Sequence, residues 1–204
     1  MLITAIHESS PGRVKVSLED GSEIKSTLNT VVDLRLCSGE ELDDKRLEEF
    51  RKASAKALGR EKALEYISRR PMSCCELRKK LIDKGEDEEV ADYCVSWLEE
   101  NHFIDDAEYA AALARHCASK GYGPGRLRGE LAKRGISREL WDDALEAMPS
   151  CDDKIDRFIA SRLSDPEDSD QIRKICNALY RRGHSWEDIR KALARYEEEL
   201  EEEY

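Results

Sequence analysis

The spacing of apolar and polar positions changes character once along this chain. In residues 1 to about 40 it alternates. Val14, Val16 and Leu18 interleave with Arg13, Lys15 and Ser17, the period-two mark of a strand with one buried face. LITAI, from Leu2 to Ile6, is a short apolar run, and Asp20-Gly21 before SEIKSTL predicts a hairpin turn. TVVDLRL fits a strand or a short helix, and SGEELDD reads as a turn before a helix start. From Lys45 to Arg70 the residues favour helix, with Leu47, Phe50, Ser54 and Leu58 near one face and Gly59 as the expected break.

The rest of the chain carries one pattern three times. An apolar residue is followed four later by Leu and four later again by Gly: Leu77-Leu81-Gly85, Leu127-Leu131-Gly135 and Ile175-Leu179-Gly183. The first two positions make an apolar helix stripe. The Gly supplies the left-handed residue that ends the helix. Two residues on, Asp87, Ser137 and Ser185 are suited to cap the next helix. Upstream, Ser73-x-x-Glu76 has the form of a capping box, and Pro124 takes the first helical position in the second copy. A further helix precedes each pair: KALEYISRR, AEYAAALARHCASK and KIDRFIASRL. The stop glycines lie 50 and then 48 residues apart, a period that implies a tandem helical array. The predicted fold is therefore mainly α: three tandem three-helix repeats in an elongated, curved array behind a small N-terminal β-hairpin segment. The expected limits are 1–42 for that segment, 43–58 for a linking helix, 59–101, 102–149 and 150–196 for the repeats, and 197–204 for an acidic tail.

Candidate chemistry is sparse. KGYGPGRLRGELAKRG, from Lys120 to Gly135, is glycine-rich and basic, yet it lacks the GK[ST] of a phosphate-binding loop and its strand. His7, His102, His116 and His184 are scattered, with no HExxH and no GxSxG. In NHFIDDAEYA, Asp105 or Asp106 is expected to cap a helix while Phe103 and Ile104 enter the core. Seven cysteines, an odd number without a CxxC, read as reduced thiols serving as small apolar groups, Cys74 and Cys75 among them as buried thiols at a helix start. No catalytic set, metal site or cofactor is expected. The N-terminus lacks a basic leader and no run approaches bilayer length, so the expected location is the cytoplasm.

Charge gives the strongest functional signal. The net charge is -11, but the last eight residues, EEELEEEY, hold six Glu. That tail reads as solubilising disorder, as a shield for basic residues, or as a mimic of nucleic-acid charge. Between Arg115 and Arg134 there are six basic residues and one acidic. Lys84, Arg134 and Arg182 precede the three stop glycines, where a cation offsets the helix dipole. That leaves Arg69, Arg70, Arg78, Lys79 and Lys80 at one joint, Arg115, Lys120, Arg126 and Arg128 at the next, and Lys133 and Arg181 beside the stops. Aligned by the repeat, they would form a basic stripe, either a nucleic-acid track or a docking face for an acidic partner. The absence of interleaved exposed aromatics weakens the case for stacking of single strands. Two helices at a tight Gly corner also suggest helix-turn-helix binding to duplex DNA, but the third helices of the first two copies, EEVADYCVSWLEE and RELWDDALEAM, are acidic. A helical protein scaffold is the remaining alternative.

Three stretches resemble the bacterial RecX family of recombination regulators: R-x-x-S-x-x-E-L-x-x-K-L at Arg70–Leu81, F-I-D-D-x-x-Y-A at Phe103–Ala110, and G-P-x-R-L-x-x-E-L-x-x-K-G-I at Gly123–Ile136 with Arg134 in place of the usual Lys. The resemblance covers roughly residues 60–145, and the N-terminal segment is similar to an extension found in some members. It implies a non-enzymatic, monomeric modulator of the RecA recombinase. Such proteins look like tandem three-helix repeats that lie in the groove of the RecA–DNA filament, meet single-stranded DNA through it, and inhibit ATPase and strand exchange, with consequences for DNA repair and the SOS response. The family offers no catalytic residues. The contact residues named above come from charge and repeat geometry alone.

Overall fold

The computed structural model describes the backbone of residues 1–202 and the side chains of residues 1–198. The chain divides into two compact units, residues 1–72 with 76–104, and residues 73–75 with 105–204.

Unit 1 opens with an antiparallel sheet in the order β1 (Ile3–Ser10), β2 (Arg13–Leu18), β3 (Glu23–Thr27). The Asp20-Gly21 turn joins β2 to β3 as expected, with Gly21 at φ 83° and Asp20 Oδ1 accepting from the Ser22 backbone N–H at 2.9 Å. The first strand extends past LITAI to Ser10. Val14, Val16, Leu18 and Ile24 form a core with Ile3, Leu36, Leu42 and Phe50. TVVDLRL resolves toward helix: Thr27 caps α1 (Leu28–Asp33), its hydroxyl accepting from the Thr30 N–H at 3.2 Å.

Asp43 caps α2, which runs unbroken from Asp44 to Arg69. Gly59 does not break it. A Cβ there would lie 2.8 Å from Cys94 Sγ and 2.9 Å from Val90 Cγ1, both on α4 (Glu88–Glu100). The glycine marks close approach of two helices, and it is buried.

The repeated corner forms as the sequence predicts. α3 (Cys74–Asp83), α6 (Pro124–Lys133) and α9 (Ser169–Arg181) each end at a stop glycine with positive φ, 90° at Gly85, 65° at Gly135 and 91° at Gly183. In each corner the residue after the glycine donates its N–H to the carbonyl of the stripe leucine: Glu86 to Leu81 (3.1 Å), Ile136 to Leu131 (3.1 Å), His184 to Leu179 (3.2 Å). These are Schellman closures, and they satisfy carbonyls that the helix end leaves open. Leu77, Leu81, Leu127, Leu131, Ile175 and Leu179 are all buried.

Unit 2 holds α5 (Asp106–Ser119) and α6, a 3-10 turn at Arg138–Leu140, then α7 (Trp141–Glu146), α8 (Asp152–Ala160), α9 and α10 (Trp186–Glu202). Among the described residues its core includes a cluster around Leu113, Leu127, Leu131 and Ile136 and another around Ile155, Ile159, Leu179 and Ile189.

Several local expectations need correction. Of the three predicted caps, Ser185 bonds the Asp188 N–H at 3.1 Å, while Asp87 and Ser137 make no side-chain cap bond. Asp105 caps α5, and Ile104 is buried, but Phe103 is 54% exposed and stacks on Trp97 at 5.7 Å. In the acidic tail, the backbone of residues 197–202 continues α10, against the disordered alternative among its three readings; residues 203–204 lie outside the described part.

Cys74 is half-buried and Cys75 exposed, so the helix-start pair is not sealed in the core. Burial raises the thiols of Cys117, Cys151 and Cys176, and pushes Cys94 up to about 11. A raised thiol pKa in the fold favours the folded state until the unfolded thiol ionises. The Cys94 contribution is therefore complete below about pH 9 and lost as pH rises through about 11. A thiol reagent at pH 8 should modify exposed Cys37 and Cys75 first, leaving buried Cys94 until unit 1 opens. Mass spectrometry of a labelling time course measures that order.

Candidate interface on unit 2

The interface begins with a backbone contact. Pro124 opens α6 in its first turn, and the segment before it lies against the α9–α10 corner. Gly123 N–H donates to Arg182 O and Gly125 N–H to Gly183 O, both at 2.9 Å. A Cβ at Gly123 would sit less than 3.0 Å from the Gly183 carbonyl and the His184 nitrogen. The glycines of KGYGPGRLRGELAKRG thus admit a second backbone. Buried His184 places Nε2 3.1 Å from Gly121 O. A carbonyl only accepts, so Nε2 carries the proton. Lys154 Nζ caps the same helix end by donating to Ala118 O at 2.6 Å.

The segment Ser73–Cys75 repeats this contact within unit 2. The Ser73 hydroxyl donates to Arg134 O, and a Cβ at Gly135 would lie less than 3.0 Å from Cys75 Sγ.

Joining α6 to the α9–α10 corner opens a groove of about 640 Å³. Arg126, Arg128, Lys133 and Arg181 line it, with Tyr180, His184 and Ser185, against the single carboxylate of Glu130. That carboxylate is already engaged. Arg126 pairs with it at 3.0 Å and Arg134 binds it too, and the Arg134 hydrogen bond holds its pKa below the usual carboxylate range. Arg128, Lys133 and Arg181 are exposed and make no ion pair among the described residues. The groove therefore presents three uncompensated cations, while the whole chain carries -11. It is suited to bind anions. Among the described residues no group of three or more His, Cys, Asp or Glu is placed to hold a metal.

The other predicted contact residues separate by environment. In unit 2, Arg134 is half-buried; burial opposes its charge, but hydrogen bonds to Glu130 and to the Tyr109 hydroxyl (3.1 Å) raise its pKa. Arg182 lies over the Phe158 ring at 4.4 Å, where Arg162 also rests at 3.9 Å. Arg115 and Lys120 are exposed outside the groove lining. In unit 1, Arg69 pairs with Glu65, Arg70 with Glu76 at 3.3 Å, and Arg78 with Asp92 and Glu88. Arg78 holds Asp92 below its ordinary pKa, and its own pKa is raised in turn. Lys80 sits over the Tyr66 ring at 4.1 Å. Lys79 and Lys84 are exposed and make no ion pair among the described residues.

One feature escaped the sequence reading. Tyr180 and Trp186 are 55% and 49% exposed, and their rings stack at 5.3 Å beside the groove. Exposed aromatics therefore do accompany the basic residues. The sequence signal was their position on opposite sides of stop glycine Gly183, since a Schellman corner folds the chain back and brings its flanks together.

Residues 60–98 match the model of the RecX first three-helix domain and residues 105–145 that of the RecX second three-helix domain. The Regulatory protein RecX of Stenotrophomonas maltophilia (strain R551-3) is 34% identical over 135 residues, covering 65% of this chain and 83% of the relative. That of Cronobacter sakazakii (strain ATCC BAA-894) is 30% identical over 152 residues, covering 67% and 91%. A crystal structure of a regulatory protein RecX superposes with a TM-score of 0.70 at 25% identity, covering 92% of this chain and 96% of the other. On its repeated corners, its mainly helical architecture and these relatives, the chain belongs to the RecX family of regulatory proteins.

Proposed function

We propose that this protein binds the RecA–DNA filament and inhibits RecA's ATPase and strand exchange, acting as a non-enzymatic regulator of recombination and DNA repair. It acts as a cytoplasmic monomer and meets single-stranded DNA through the filament. The observation that carries this reading is the unit 2 groove, where Arg128, Lys133 and Arg181 stand without carboxylate partners among the described residues. A filament offers phosphates and acidic side chains, and cations kept free on an acidic protein supply both orientation and rate of encounter. Family membership supports the choice of RecA as partner. Arg69, Arg70, Arg78 and Lys80 contribute less, because neighbouring carboxylates or a ring already hold them. The test is RecA ATP hydrolysis on single-stranded DNA, titrated with this protein. Inhibition at substoichiometric dose is expected, and unchanged hydrolysis at excess protein refutes the proposal.

A further inference from the structure

We infer that Tyr180 and Trp186 form a stacking platform for an unpaired nucleotide, whose phosphates rest on Arg181, Arg128 and Lys133. Two large aromatic rings held together in water at roughly half exposure leave apolar surface unburied. The corner fixes them: Tyr180 lies in the last turn of α9, Trp186 starts α10, and the Gly183 N–H donates to Tyr180 O at 2.9 Å. Little further ordering is needed on binding.

The neighbouring charges favour an anionic ligand. Tyr180 and Arg181 both line the groove that holds Arg128 and Lys133. The two acids that follow Trp186 in sequence both have partners, Glu187 with Lys191 at 2.7 Å and Asp188 with the Ser185 hydroxyl at 2.6 Å. Arg190, on the same helix, donates to Trp186 O at 3.4 Å. A ring platform next to unpaired cations is the arrangement that takes a base by its face and a phosphate by its charge. A carboxylate peptide would use the cations and leave the rings idle. Duplex DNA would hide its base faces from them.

The inference concerns the same groove as the proposed function, but it can be tested without RecA. Fluorescence anisotropy would compare a labelled oligothymidylate, an abasic strand of equal length, a duplex, and a mononucleotide as competitor. The single strand should bind about tenfold or more tightly than the abasic strand. Tyr180→Ala with Trp186→Ala should remove that difference, leaving abasic binding and the circular dichroism unchanged. Trp186→Phe, which keeps a ring, should retain most of it. Competition by the mononucleotide would identify a free nucleotide as a sufficient source; failure to compete, with the strand still bound, would assign the site to nucleic acid. Equal binding of base-bearing and abasic strands, no binding of any of them, or a double variant that matches the wild type would overturn the inference. RecA inhibition that survived such a result would leave the proposed function standing.

Discussion

Replacing Gly183 with alanine should destabilise unit 2 by about 3–5 kcal/mol, the range of severe single substitutions. Two penalties add. Gly183 has φ 91°, a conformation that costs an L side chain about 1–2 kcal/mol. A Cβ would also lie within 3.0 Å of the Arg126 backbone, where no flexible side chain can yield. Displacing that contact would release the Gly125 to Gly183 hydrogen bond and the His184 to Gly121 bond beside it. Two other glycines serve as internal controls. Gly85 has the same handedness, φ 90°, but nothing lies within 4 Å of its added Cβ, so Gly85→Ala should cost only the backbone penalty. Gly129 lies inside α6 with open space around it, and Gly129→Ala should stabilise by about 0.5–1 kcal/mol. Hydrogen exchange of each unit separates the three cases. If Gly183→Ala loses no more protection in unit 2 than Gly85→Ala loses in unit 1, the corner-to-corner contact is not what requires the glycine.

Reversing the three uncompensated charges, as Arg128→Glu, Lys133→Glu and Arg181→Glu together, should weaken filament binding about a hundredfold at moderate salt. These side chains are exposed and unpaired among the described residues, so the fold should not depend on them. Arg134→Ala should behave in the opposite way. It removes a half-buried guanidinium from Glu130 and Tyr109, so it lowers stability while folded molecules keep their affinity. Lys133 and Arg134 are adjacent in sequence and look alike there, yet one faces the groove and the other supports it from behind.

That pair shows what the sequence could convey. The stop glycines, the buried i, i+4 pairs and the Asp20-Gly21 hairpin were legible because each depends on residues only a few positions apart. Gly59 misled, because the reason for it is Val90 and Cys94 on another helix. The contact between Gly123 and Gly183 was hidden for the same reason: it joins segments sixty residues apart, and no local pattern announces it. Of the predicted contact residues, charge alone could not separate Arg128, which faces the groove, from Arg78, which is locked between Asp92 and Glu88. Counting cations ignored where their nearest carboxylates would fall.

The most direct measurement is equilibrium binding of the wild type and the Arg128/Lys133/Arg181→Glu variant to preassembled RecA filaments on single-stranded DNA, across a salt series. The account predicts wild-type affinity that falls as salt rises, and a variant weaker by about two orders of magnitude with a shallower salt dependence. Equal affinities and equal salt slopes for the two proteins would contradict it.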